Sequence, residues 1–134
     1  MLARRRFVAC AICAATGLTA TGVAAQPTGG VKRTILSRTD FPGDTYATIE
    51  VLVEIEGGAT VARHTHPGVE SGIVIEGETR LFVQGQPDRT VKASEAFQIP
   101  PGVPHSVRNG PARTRVAVTY VVEKDKPLAS PAPE

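Results

Sequence analysis

Cysteine is nearly missing from this chain. Its two copies, Cys10 and Cys13, both lie in the first 25 residues. Once those residues are removed as a leader, no thiol remains, which excludes a disulfide and a cysteine nucleophile. Tryptophan is absent and aromatics make up only 4% of the residues, so Val and Ile must fill the core. A helical period is lacking as well: no window repeats apolar residues at i, i+3 and i+4 convincingly. No helix-turn-helix segment fits, which disfavours a DNA-binding regulator. Charge of one sign is not in excess. Arg4, Arg5 and Arg6 are three of the 15 basic residues, so residues 26–134 keep 12 against 13 acidic ones, a net charge of −1. That leaves no basic footprint for nucleic acid, and no nucleic-acid partner is expected.

What is present begins with the leader. Residues 1–6 are basic, and residues 7–25 are apolar or small and uncharged. Val23-Ala24-Ala25 has the small-residue cleavage pattern of a secretory signal peptide. Arg4-Arg5-Arg6-Phe7-Val8 is similar to a twin-arginine signal. Residues 1–25 are therefore expected to be a signal peptide, the mature protein to be periplasmic or secreted, and no membrane contact to remain after cleavage. An uncleaved N-terminal anchor is the alternative.

The 134 residues suit a single domain. Thirteen Gly and eleven Pro, scattered singly, point to many short elements joined by turns. Residues 26–44 read as a linker with a first strand over 33–39. The clearest strand is 46–56, where Ile49, Val51, Val53 and Ile55 alternate with Glu50, Glu54 and Glu56. Further strands are expected over 60–66, over 72–76 and 79–84 as a hairpin about Gly77, then over 90–92, 95–99, 105–108 and 113–122. Residues 124–134 read as a loose tail. The fold class is all-β, a sandwich or barrel.

Histidine is scarce, and its three copies fall into one pattern. Gly58, His64, His66, Glu70 and Gly77 form the first group; Pro100, Gly102, His105 and Asn109 form the second. On a strand, an H-x-H pair sets both imidazoles on one face. Glu70 lies a short turn beyond. Imidazoles with a carboxylate suit a divalent first-row transition metal.

On these two motifs the chain resembles the cupin superfamily, as a small single-domain type-2 cupin. Gly58-x5-His64-x-His66-x3-Glu70-x6-Gly77 matches the first family motif at every position. The second matches at Pro100, Gly102, His105 and Asn109, whereas Ser94 stands where the family has glycine. The resemblance spans about residues 45–122, within a cupin domain bounded at 45–123. It implies a double-stranded β-helix, or jelly-roll, barrel in which His64, His66, Glu70 and His105 converge on one divalent transition metal: iron, manganese, nickel or zinc. It also implies a homodimer.

Other residues carry weaker signals. Arg63, between the two histidines, should point away from the metal. Tyr46 and Tyr120 read first as packed aromatics and second as proton donors. Gln84 and Gln98 line the pocket or face solvent according to strand parity, Asn109 fixes a turn, and Glu76 and Glu78 form a solvated hairpin tip. Two functions stay open. One is an exported metalloenzyme acting on a small molecule, of dioxygenase, decarboxylase, lyase or isomerase type. The other is a non-catalytic module binding a small ligand or metal. Catalytic residues are not identified, because no extra His or Cys is available as a general base.

Overall fold

The computed structural model describes residues 29–134. The expected leader, residues 1–25, lies outside the described residues. Ten strands follow in order: β1 (Val31–Thr39), β2 (Tyr46–Ile55), β3 (Thr60–Thr65), β4 (Gly68–Glu76), β5 (Glu78–Val83), β6 (Arg89–Lys92), β7 (Ala96–Ile99), β8 (His105–Asn109), β9 (Thr114–Glu123) and β10 (Ser130–Pro131). They form two five-stranded sheets, β1-β2-β9-β4-β7 and β10-β3-β8-β5-β6, with antiparallel pairing throughout. This is the all-β jelly roll expected from the sequence.

Alternation decides which face turns inward. On β2, Ala47, Ile49, Val51, Val53 and Ile55 are buried, and on β9 Val116, Val118, Tyr120 and Val122 are buried. The two strands pair in unbroken register from Tyr46↔Glu123 to Ile55↔Thr114, so their apolar rows form one wall. Each fully buried Val or Ile contributes about 1.5–3 kcal/mol, which lets a chain poor in aromatics hold a core. Among the described aromatics only Phe97 and Tyr120 are buried in that core.

Two expectations need correction. β4 starts at Gly68, not at 72, so Glu70 stands on a strand, opposite Tyr120 of β9, and not in a turn. The inward row of β4 is Gly68, Glu70, Gly72 and Val74, while Ile73 and Ile75 face out at 42% and 46% exposure. Inward glycines and a carboxylate erased the apolar alternation by which strands are read. A side chain on Gly72 would overlap the Phe97 ring, whose nearest atom lies 2.3 Å from the built Cβ, so the aromatic occupies the space that glycine leaves. The C-terminal tail is not loose either. Ser130 and Pro131 pair with Thr65 and His64 on the edge of β3, and the Ala132 N–H donates to the Arg63 carbonyl at 3.1 Å.

The turns hold the two motifs in place. Gly77 joins β4 to β5 with φ of 79°, and a Cβ there would lie 2.5 Å from the Arg113 carbonyl oxygen. Asn109 braces the far end as expected. Its buried amide donates to the Ile55, Glu56 and Ala112 carbonyls at 3.0 Å, and its oxygen accepts from the Thr114 hydroxyl at 2.7 Å. Ser94 occupies a turn closed by the Glu95 N–H donating to the Lys92 carbonyl at 2.9 Å. Its φ is 73°, and among the described residues it is the one non-glycine with positive φ.

The family's glycine at position 94 thus answers a backbone requirement that this chain meets with a strained serine. Ser94→Gly should raise stability to chemical denaturation by up to about 1 kcal/mol, the relieved strain exceeding the added unfolded-state entropy. Ser94→Val should lower it, since a β-branched side chain tolerates this conformation least. A Gly variant less stable than the parent would show that the turn is relaxed around serine.

Candidate metal centre

The four sequence-predicted ligands meet between the two sheets. His64 comes from β3 and is paired across from His105 at the start of β8. Glu70 comes from β4 in the opposite sheet, and His66 lies in the short connection between β3 and β4. A register shift in the β3–β8 ladder falls between Val61 and His64, where the strand departs from regular pairing. Such a bulge re-aims the side chains beside it. The turn at Pro100-Pro101-Gly102 docks onto this region, because the Gly102 N–H donates to the His66 carbonyl at 3.0 Å.

The proton positions follow from the hydrogen bonds. Nδ1 of His64 faces the Ala62 carbonyl at 2.7 Å, Nδ1 of His66 faces the Leu128 carbonyl at 2.6 Å, and Nδ1 of His105 faces the Val103 carbonyl at 2.9 Å. A carbonyl oxygen only accepts, so each Nδ1 must carry the proton and donate. In the neutral imidazoles each Nε2 is then a bare lone pair, and all three converge. Nε2 of His64 and Nε2 of His66 are 3.1 Å apart. One Glu70 carboxylate oxygen lies 3.0 Å from Nε2 of His66 and 3.0 Å from Nε2 of His105. All four donor atoms lie within 4.8 Å of one another.

Lone pairs facing each other at such distances repel. Glu70 and His105 are 7% and 2% exposed, and the facing Oε2 and Nε2 atoms are buried without a hydrogen-bond partner among the described residues. The 3.0 Å contacts between them are not hydrogen bonds when neither atom carries a proton. A cation satisfies all four atoms together. Two ligands bound at about 2.1 Å and at a right angle lie about 3.0 Å apart, the spacing of three of these pairs. The cluster is thus able to hold a divalent metal, and its N3O donor set is of the type that takes one. A carbonyl behind every imidazole is the usual outer support of a histidine ligand.

Burial shapes the electrostatics. Burial pulls the His64 imidazole down to about 4, against an ordinary value of 6.5. Burial alone would raise the Glu70 carboxyl, but hydrogen bonds and charge from the His105 and His66 rings, once these are protonated, outweigh it and bring the group down to about 2. Glu70 is therefore a carboxylate, and His64 is neutral, at neutral pH. Burial, reinforced by Glu70, pushes the Tyr120 hydroxyl up, so it stays a donor. Its ring sits 4.8 Å from that of His66.

The weaker candidates sort by strand parity. Arg63 points away from the cluster, its Nε donating to the Pro133 carbonyl at 2.8 Å and its Nη2 to Gln84. Gln98 is exposed and donates to Ser71, and Tyr46 is exposed, so none of these reaches the centre. Tyr120 does reach it, lining the same cavity as His64, Glu70 and His105. Two participants were missed from sequence. The Leu128 carbonyl lies in the supposed tail and carries no side-chain signal. Arg33 lines the cavity from β1, and only its place between Val31 and Ile35 on an alternating strand points inward.

Two outcomes follow. In the metal-free protein the His64 imidazole should titrate near pH 4, read by its ring nitrogens in NMR. The unfolded chain takes up that proton near 6.5 and the folded chain only near 4, so stability should hold above about pH 6.5 and fall as pH drops toward 4. Glu70, at about 2 against an ordinary 4.5, extends the loss below pH 4.5. A His64 midpoint at 6.5 would mean that the imidazole is fully solvated. Truncation after Lys126 removes the carbonyl that orients His66 and should weaken metal affinity by about tenfold to a hundredfold, measured by competition with a chelator. Unchanged affinity would show that the tail plays no part in the site.

Comparison with known proteins supports the same frame. A Cupin domain model matches residues 51–122. No curated protein matches the sequence significantly. A cupin-like protein from Thermotoga maritima is 30% identical, with 78% of this chain and 77% of that one covered and a TM-score of 0.63. An uncharacterised conserved protein with a double-stranded β-helix domain from Klebsiella pneumoniae is 22% identical over 83% of this chain and 92% of its own, with a TM-score of 0.63. The DMSP lyase DddQ from Ruegeria pomeroyi is 19% identical over 76% of this chain, with a TM-score of 0.66, and this chain spans about half (51%) of its length. With both motifs on adjoining strands of a jelly roll and the domain model covering more than half of the residues, this chain belongs to the cupin superfamily.

Proposed function

We propose that this protein is a metal-dependent cupin acting on a small molecule, with one divalent transition metal held by His64, His66, Glu70 and His105. The observation that carries the reading is the set of three backbone-anchored imidazoles whose bare Nε2 atoms converge with the Glu70 carboxylate. A bound metal would supply a Lewis acid at a site walled by Val53, Leu81, Val116 and Val118, which keep bulk water away. The chain's own residues would orient the ligand: Tyr120 has a hydroxyl to donate from the wall. The fold shared with the DMSP lyase, at 19% identity, supports small-molecule chemistry of this general kind and nothing narrower.

The second reading, a non-catalytic binding module, rests on the sparse interior. Besides His64, Glu70 and His105, the cavity wall carries only Arg33, Thr79 and Tyr120 as polar side chains. The leader expectation places either activity outside the cytoplasm.

The test is elemental analysis of protein purified without added metal, followed by a substrate panel with and without chelator. About one equivalent of iron, manganese, nickel or zinc is expected, falling below a tenth in the His64→Ala/His66→Ala variant, because two of four ligands are gone. Full occupancy in that variant would remove the site. Metal-dependent turnover would establish the enzyme, and stoichiometric binding without turnover the module.

A further inference from the structure

We infer that the ligand of this site is a small organic carboxylate, bound by Arg33 at the passage between the metal centre and the surface. This rests on the metal-dependent reading above and names the ligand class for it.

The passage is defined by two spaces. A narrow cavity of about 40 Å³ lies inside the barrel against Glu70 and His105. A groove of about 720 Å³ opens outside it, walled partly by β1 and by the C-terminal segment at Leu128 and Pro131. Four residues line both: Arg33, Val61, His64 and Tyr120. Whatever moves from the groove toward the metal ligands passes one cation, one phenol, one imidazole and one valine.

Arg33 is out of place in a purely structural account. It pairs with Val53 on β2, between the pairs Val31↔Ile55 and Ile35↔Val51. Residues directly opposite in an antiparallel ladder share a face, and Val51, Val53 and Ile55 all face the core. Arg33 is therefore an inward-facing guanidinium, half-buried in an apolar wall. A half-buried guanidinium that faces an open groove is available to pair with an anion from solution. The other arginines of residues 29–134 all have partners. Arg38, Arg80, Arg113 and Arg115 meet carboxylates, Arg63 and Arg89 donate to oxygens, and Arg108 lies over the Phe82 ring. Among the described residues Arg33 alone has no ion pair, hydrogen bond or ring stack. The nearby carboxylate, Glu70, makes no ion pair with Arg33 and faces Nε2 of His66 and of His105 instead.

A ligand entering the groove would supply that partner. A guanidinium presents parallel N–H groups that match a carboxylate's two oxygens, and the Tyr120 hydroxyl offers a further donor beside it. One free cation fits one carboxylate. Arg63 also borders the groove, but its guanidinium is held by Gln84 and Pro133. Beside Arg33 on β1 the groove is lined by Val31 and Ile35, which suits a neutral, largely apolar body on the same molecule.

The test uses the purified protein loaded with cobalt and two matched probe sets: acetate, propionate, butyrate and lactate, and the corresponding neutral amides. Binding is read by calorimetry and by the visible absorption of the cobalt. Carboxylates should bind about tenfold or more tighter than their amides, as a charge-assisted hydrogen bond requires. Arg33→Gln should remove that preference while leaving cobalt content unchanged. Arg33→Lys, which keeps charge without the fork, should restore part of it. Equal affinity for acids and amides, or a carboxylate preference that survives Arg33→Gln, overturns the inference. Failure to take up cobalt sinks the metal reading instead. The same calorimetry on the metal-free protein then decides the carboxylate question, since Arg33-dependent binding there supports it and its absence overturns it.

Discussion

Everything at the centre of this barrel depends on three hydrogen bonds that point away from it. Each imidazole gives its Nδ1 proton to a backbone carbonyl, of Ala62, Leu128 or Val103. Each is thereby committed to presenting a lone pair inward, toward the other two and toward a carboxylate. Were one ring reversed, its N–H could bond Glu70 and the cluster would close on itself as an ordinary buried network. With all three held outward, the cluster is internally repulsive and calls for a cation. The backbone, not the ligand side chains alone, makes the cluster one that could hold a metal.

That constraint explains why the ligands are spread as they are. His64 and His105 face each other across one sheet, and Glu70 stands on the other beside Tyr120. A bond from one ion to both groups would tie sheet to sheet at a point where the interior is otherwise joined only by apolar contact. The apolar rows of β2 and β9 form a wall independently of it. The barrel thus has a core that does not include the ligands, as a replaceable coordination sphere needs. The same separation lets β4 give up its inward apolar residues, with Gly68, Glu70 and Gly72 where a core strand would carry Val or Ile.

The sequence made the ligands easier to read than their supports. H-x-H on a strand, Glu70 and His105 were legible because imidazole and carboxylate are chemically distinctive and their spacing survives folding. The strands β2 and β9 were legible because Ile49, Val51, Val53 and Ile55 on the one, and Val116, Val118 and Val122 on the other, keep a regular apolar alternation. The start of β4 was not, because its inward positions are filled for closeness and charge and not for hydrophobicity. The docking of the C-terminal segment was hidden for a different reason. Its contribution is a backbone carbonyl and a two-residue pairing, and Ser130-Pro131 has no strand signature. Ser94 was marked as a departure from the family, and its φ of 73° shows what the glycine there was for.

The C-terminal segment shows how closely support and access are joined. Leu128 offers its carbonyl to His66 and its side chain to the groove, while Ser130 and Pro131 hold it there by pairing with β3. The residue paired with Pro131 is His64, itself a ligand and one of the four residues at the passage. One short stretch of chain therefore orients His66, flanks His64 and forms part of the groove wall. A substitution that loosens this stretch would disturb both the cluster and the groove. Arg33, on the opposite side of the same groove, is anchored by the β1–β2 ladder and touches none of these hydrogen bonds. The two sides of the groove are thus mechanically separate: one carries the backbone support of His66, and the other is anchored by the β1–β2 ladder.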